Sequence, residues 1–234
     1  MVEKFLLPKK AERIIILQRV DLVSPFVKRL RKLFGRYIFS NIITKFFLNS
    51  DDIASKYFYE MSKELSTIEK YINENDNLFL SIGGGIGGLE VIINKKFKNK
   101  LFYFIDRNYI SKKVKYGWGG MINDEAYNSF KLQKLFLENN GLKKENFHLI
   151  DYDNDNLPII KFDFITSLFS LDYHYDFQLY QEYLKKVSKP DTRIIFDTIR
   201  AEYFKKIFKK VEVIKSDLDT VHQSKRIVCS NFIN

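Results

Sequence analysis

Leu80-Ser81-Ile82-Gly83-Gly84-Gly85-Ile86-Gly87-Gly88 decides how the rest of the chain is read. It closes the apolar run that begins at Leu78 and leads into a helical pattern from about 87 to 97. A glycine-rich bend between a strand and a helix lets the backbone approach a ligand closely, and the helix N-terminus then points at that ligand. Residues 101–105 read as the next strand and end at Asp106, where a carboxylate can accept hydrogen bonds from ribose hydroxyls. Glycines this dense, beside an acid at the neighbouring strand end, exceed what a plain tight turn requires.

Outward from this bend, helical and strand patterns alternate. A helical period covers about 125 to 140 and stops at Gly141. Residues 147–150 form a strand pattern ending at Asp151, and 162–168 form another. A helix is predicted from about 177 to 187, then a strand over 193–196 ending at Asp197. A short helix follows, and then two runs at 211–215 and 226–232 separated by a polar linker. Strands alternating with helices imply βαβ units and a parallel sheet covered on both faces. The last two runs lie too close in sequence for a crossover, so they should pair antiparallel at the sheet edge. The fold predicted for 77–234 is α/β: a doubly wound, mostly parallel, seven-stranded Rossmann-like sheet with an antiparallel edge strand.

Before it lies a helical N-terminal extension or cap, 1–76. From Leu22 to Ser50 there is no acidic residue, while Lys28, Arg29, Arg31, Lys32, Arg36 and Lys45 are basic. Phe26, Leu30, Leu33, Phe34, Tyr37, Ile38, Ile42 and Phe46 recur at three- and four-residue spacing, which predicts a basic amphipathic helix over 24–48. Ser24 supplies its N-cap and Pro25 its first turn. A second helix over about 51–73 carries Tyr57, Met61, Leu65, Ile68 and Ile72 on one face. The favoured reading is a cap packed on the sheet domain. The basic helix also suits a membrane surface or an acidic partner.

Composition narrows the class. Of 234 residues, 45% are hydrophobic and 16% aromatic, enough for a sizeable core. Cys229 alone excludes a disulfide framework, and with three histidines it excludes a Cys/His zinc cluster. No apolar run reaches the roughly 18 residues that span a bilayer. The first ten residues lack a signal-peptide layout, so a cytoplasmic protein is expected, with the inner membrane face open to it through helix 24–48. A net charge of +10 invites a polyanion, but lysine far outweighs arginine, as the bias of an AT-rich genome would give. Nucleic acid is therefore disfavoured as a partner, and a homo-oligomer is left open.

The glycine spacing does not by itself name a ligand. Gly83, Gly85 and Gly88 fit the dinucleotide pattern G-x-G-x-x-G, and Gly83, Gly85 and Gly87 fit the G-x-G-x-G turn used for S-adenosylmethionine. Asp151 followed by Tyr152, the terminal antiparallel pair and the long N-terminal segment tilt the choice to the second. Over about 77–232 the chain resembles the class I S-adenosylmethionine-dependent methyltransferases, with residues 80–87 as their first motif, Asp106 as the acid ending their second strand and Asp151 as their third-strand motif. One departure is visible: that family usually carries Asp or Glu where this chain has Ser81, and the acid orients the methionine amino group. The resemblance implies S-adenosyl-L-methionine held by Ser81, Gly83, Gly85, Gly87, Asp106, Asp151, Tyr152 and Leu168. Tyr127-Asn128-Ser129, Glu138-Asn139-Asn140-Gly141 and Ser170-Leu171-Asp172-Tyr173-His174-Tyr175 are similar to bacterial sugar O-methyltransferases, which implies a small or glycan-linked hydroxyl acceptor.

In a doubly wound sheet, ligands bind beyond the carboxyl ends of the strands, so the loop after the fourth strand should face the acceptor. A hydroxyl needs its proton removed as it attacks. His174 is the expected base, because its unperturbed pKa of about 6.5 lies near working pH, and Asp172 either orients it or acts itself. Trp118, flanked by glycines in 116–121, Tyr127 and Tyr173 are expected around the acceptor. His148 reads as a hydrogen-bonded strand residue, and His222 has no evident role. No metal is expected: the run from Asp151 begins like a calcium loop but has Asn156 where glycine and Phe162 where glutamate are needed. Three alternatives stay open: an NAD(P)-dependent oxidoreductase, an RNA methyltransferase and a non-catalytic nucleoside-binding protein.

Overall fold

Leu78-Phe79-Leu80-Ser81-Ile82 does not alternate, as befits a strand covered on both faces, and it becomes β1 (Leu78–Ile82) at the centre of the sheet, with Phe79 to Ile82 all buried. The computed structural model describes residues 3–46, 48–112, 125–217 and 223–233. Its other strands are β2 (Leu101–Asp106), β3 (Phe147–Asp151), β4 (Phe162–Ser167), β5 (Ser188–Thr198), β6 (Phe208–Ser216) and β7 (Lys225–Phe232). They form a seven-stranded sheet in the order β3-β2-β1-β4-β5-β7-β6. The first five in that order pair in parallel, and β7 runs antiparallel to both β5 and β6. A dinucleotide fold ends 4-5-6; here the last strand is inserted, reversed, between the fifth and sixth.

The helices are α1 (Ala11–Gln18), α2 (Pro25–Phe46), α3 (Ser50–Ile68), α4 (Gly88–Phe97), α5 (Phe130–Asn139) and α6 (Gln178–Val187). Phe79, Phe102, Phe104 and Phe164 face a core shared with α4, α5, α1 and α3, in which Phe5, Ile14, Ile15, Tyr57, Met61, Leu65 and Phe136 are buried. On the other face Leu80, Ile165 and Phe196 meet Phe177, Tyr180 and Leu184 around α6 and Phe204 from the turn 201–206. The predicted stripe on α3 is therefore a core stripe, and residues from the N-terminal segment lie in one apolar cluster with the sheet.

Three elements differ from the sequence expectation. The basic helix is not continuous: α2 breaks at Gly35, whose φ of 71° and ψ of 163° lie outside helical space. Beyond the break Tyr37, Phe39 and Ile43 are buried, while Phe26, Leu33, Phe34, Ile38 and Phe46 are exposed. The helix expected from 125 begins only at Phe130, because 126–128 is drawn straight by bonds from Ser111 N–H to Ala126 O (2.7 Å) and Asn128 N–H to Tyr109 O (3.1 Å). Strand β5 begins at Ser188, immediately after α6, rather than at 193. His148, expected to be hydrogen-bonded inside a strand, is exposed on edge strand β3, with its ring 4.5 Å from that of Tyr103.

Candidate functional site

Strand β1 ends at the glycine bend, and Gly83 N–H donates to Ile105 O on β2 at 2.8 Å, pinning the bend to the strand beside it. Gly83 has φ 64°, and a Cβ there would meet Ser170 Oγ at 2.0 Å. Gly85 has φ 61°, and its Cβ would meet Gln18 Oε1 at 2.4 Å. Both positions hold left-handed backbone that disfavours a side chain, and at Gly83 the Ser170 side chain also leaves no room for a Cβ. One neighbour is the loop after β4 and the other is the end of α1, so the bend is clasped between them.

Asp106 ends β2 beside this bend and is half-buried. Its Oδ1 accepts from Arg107 N–H at 2.7 Å and its Oδ2 from Asn128 Nδ2 at 3.0 Å. Burial pushes its carboxyl up to about 6, partly offset by those bonds and one from the Gly85 N–H. The Asn128 side chain ties the bend to α5: Nδ2 also reaches Gly85 O (3.0 Å) and Gln133 Oε1 (3.0 Å), and Oδ1 accepts from Ser129 N–H (2.8 Å). Sequence reading gave Asn128 no role of its own, and its clue was only its place beside Tyr127.

Bend, Asp106 and Asn128 open onto a cavity of about 580 Å³, within the ~300–1,000 Å³ usual for small-molecule sites. Ser81, Leu168, Tyr127, Tyr173 and His174 line it too. Its walls carry seven carboxylates, Asp21, Glu60, Glu64, Glu90, Asp106, Glu125 and Asp217, against three cations, Arg19, Lys63 and Lys215. Arg226 and Arg36 offset two of these acids, Glu64 and Glu125, from outside the lining, and the rest still leave carboxyl groups in excess within a protein of net charge +10. The acids come from segments far apart in the chain, so no local motif announces them.

The loop after β4 holds the expected acceptor residues in two different ways. His174 is exposed at the cavity, with its ring edge-on to Tyr173 at 5.1 Å between centroids. Asp172 is buried at 1% exposure with φ 57°, and its carboxylate is spanned by Arg200, whose Nε lies 3.1 Å from Oδ1, and by the Thr198 hydroxyl. Arg200 reaches Asp176 as well, at 2.9 Å. Asp172 therefore anchors the loop from beneath, and it is absent from the residues lining the cavity. Gly87 packs against Leu137 and Phe104 instead of facing the cavity. Trp118 and its glycine flap lie outside the described residues, as does His222.

No known protein-family profile matches the chain, and no curated protein matches it in sequence. Solved structures do match in shape. Mitomycin 7-O-methyltransferase MmcR superposes at TM-score 0.50 with 12% identity, covering 92% of this chain and 60% of its own. The S-adenosylmethionine-dependent methyltransferase SibL gives 0.51 at 11% identity, covering 92% and 61%. A predicted O-methyltransferase of Nostoc punctiforme gives 0.52 at 12% identity, covering 94% and 71%. The fold is that of the class I S-adenosylmethionine-dependent methyltransferases. The chain spans less than two thirds of the length of MmcR and SibL.

Within this methyltransferase fold, the third-strand acid is turned inward on its own loop. Asp151 accepts from Asn154 Nδ2 at 2.7 Å and from Asp153 N–H at 3.3 Å, and it lines neither the main cavity nor the narrow recess behind it. Tyr152 does line that recess, with Gly83, Asp106 and Tyr175. Arg107 lines the recess as well; it is buried and lies over the rings of Tyr152 (5.2 Å) and Tyr175 (5.7 Å). Arg107 was missed because an arginine after a strand reads as surface.

Proposed function

We propose that the protein is an S-adenosylmethionine-dependent methyltransferase that moves a methyl group to an oxygen of a small or glycan-linked acceptor. The observation that carries this is the acidic cavity beside a side-chain-free bend, since the cofactor's sulfonium and ammonium make it a cation overall. A polyanion such as RNA or a dinucleotide phosphate meets an excess of carboxyl groups over cations there, which disfavours both alternatives. The residues fit the cofactor: bare backbone at Gly83 and Gly85 for the nucleoside, Asp106 for ribose hydroxyls, Leu168 and Tyr152 as apolar walls.

When bound, the cofactor supplies a methyl group on a sulfonium sulfur, ready for in-line attack. The chain's part is alignment and proton removal. His174 takes the acceptor's hydroxyl proton on an imidazole nitrogen as the new C–O bond forms. Asp172, held by Arg200, positions the loop that carries His174 and Tyr173, and Tyr127 and Tyr173 offer rings for a sugar face. For partners, we infer a small acceptor in the cavity and an anionic membrane surface against α2.

Calorimetry with S-adenosylhomocysteine tests the reading. Binding by the wild type, with turnover slowed and binding retained in His174→Ala, is the expected result. NAD binding without S-adenosylhomocysteine binding would overturn it.

A further inference from the structure

Buried acids in this protein come with arginines. Glu64 and Asp197 are both bridged by Arg226, and Asp172 by Arg200. Glu90 breaks the pattern. It stands in the first turn of α4, is 2% exposed, and lines the cavity beside the bend. Ser81 Oγ and Glu90 Oε1 lie together beside Gly84, while Glu90 Oε2 is buried with no hydrogen-bond partner among the described residues. Tyr57 from α3 faces it, and no cation among the described residues forms an ion pair with Glu90. Burial pushes its carboxyl up to about 7. A buried carboxylate with one oxygen unmatched is costly unless something arrives to pair with it.

The bend is built around this group. A Cβ on Gly84 would meet Ser81 Oγ at 2.1 Å and Glu90 Oε1 at 3.4 Å, so Gly84 leaves the room in which serine and glutamate meet. We propose that Glu90, with Ser81 beside it, is the receptor for the ammonium group on the amino-acid arm of the bound cofactor. The carboxylate thus comes from helix α4 rather than from the end of β1, where Ser81 stands. This rests on the methyltransferase reading, and it adds the residue that selects a ligand with a charged arm over a bare nucleoside.

Two ligands separate the claims: S-adenosylhomocysteine, which has the arm, and 5′-methylthioadenosine, which keeps the nucleoside and sulfur but lacks it. In calorimetry, Glu90→Gln should weaken S-adenosylhomocysteine by at least about 10-fold, as loss of a charge-assisted bond implies, and leave 5′-methylthioadenosine within about two-fold. Ser81→Ala, which removes that neighbour and keeps the carboxylate, should show the same selectivity with a smaller loss. Equal affinity of Glu90→Gln and wild type for S-adenosylhomocysteine would overturn the proposal, as would parallel loss of both ligands. If the wild type binds neither, the cofactor reading fails and the proposal with it. Binding of both by the wild type with an unselective variant leaves that reading intact and removes only Glu90.

Discussion

Asp106 and Glu90 share a property that the titration of the ligand-free protein should expose. Their carboxyls are pushed up to about 6 and about 7 by burial, from ordinary values of 3.8 and 4.5. The folded chain therefore keeps protons that the unfolded chain releases first. Their contribution to stability is complete below about pH 4 and is lost as pH rises through 6 to 7. For Glu90 the span corresponds to an upper bound on the order of 3 kcal/mol. Thermal unfolding across pH 4.5 to 8 should thus fall less steeply in Glu90→Gln and Asp106→Asn than in the wild type. Variants whose profiles parallel the wild type would show that these carboxyls are hydrated. Asp21, Glu64 and Asp163 are lowered by their cationic partners and act in the opposite sense, so the difference between variant and wild type is the quantity to read.

At the scale of elements, α2 stands apart. Phe26, Leu33 and Phe46 are 74%, 77% and 75% exposed, on a segment with no acid between residues 22 and 50. Apolar rings beside lysines and arginines match an anionic bilayer surface, where each cation adds about 1 kcal/mol. Sedimentation with phosphatidylglycerol vesicles should carry the protein down, phosphatidylcholine vesicles should not, and Leu33→Ser should weaken the effect. Failure to sediment, with dimers seen by light scattering, would assign the face to a second copy instead. Strands β1 to β4 and β7 and helices α3, α4 and α6 were legible in the sequence because hydrophobic period sets them, whereas the polar first residues of β5, 188–192, carry no such signal. The break at Gly35 and the late start of α5 were not, since the first depends on what lies under each half of α2 and the second on bonds from Ser111 and Asn128. The same holds in the site: the glycines and Asp106 announce themselves locally, whereas Glu90, Arg107 and Arg200 acquire meaning only from neighbours distant in the chain.

Across the whole molecule, Arg226 is the connection that reaches furthest. Fully buried on β7, it holds Asp197 on β5 at 3.0 Å and Glu64 and Thr67 on α3, and its guanidinium lies 5.6 Å from the Phe169 ring. Arg19, at the end of α1, lies over the same ring at 5.5 Å. Arg226→Met should destabilise the protein by about 3–5 kcal/mol, since two carboxylates are left buried without their partner. Adding Glu64→Gln and Asp197→Asn should recover part of that loss in urea denaturation. A single variant as stable as the wild type would mean water already serves these acids.

Phe169 makes this a matter of timing as well as strength. A ribosome delivers α1, α3 and the glycine bend long before it delivers β7. Until residue 226 has been translated, Asp197 awaits its counter-charge, Glu64 has only Arg19 at 3.6 Å, and the aromatic ring between two cations has only one of them. A nascent chain halted before that residue would carry the glycine bend yet leave the Glu64 and Phe169 wall of the pocket without the guanidinium that sets it.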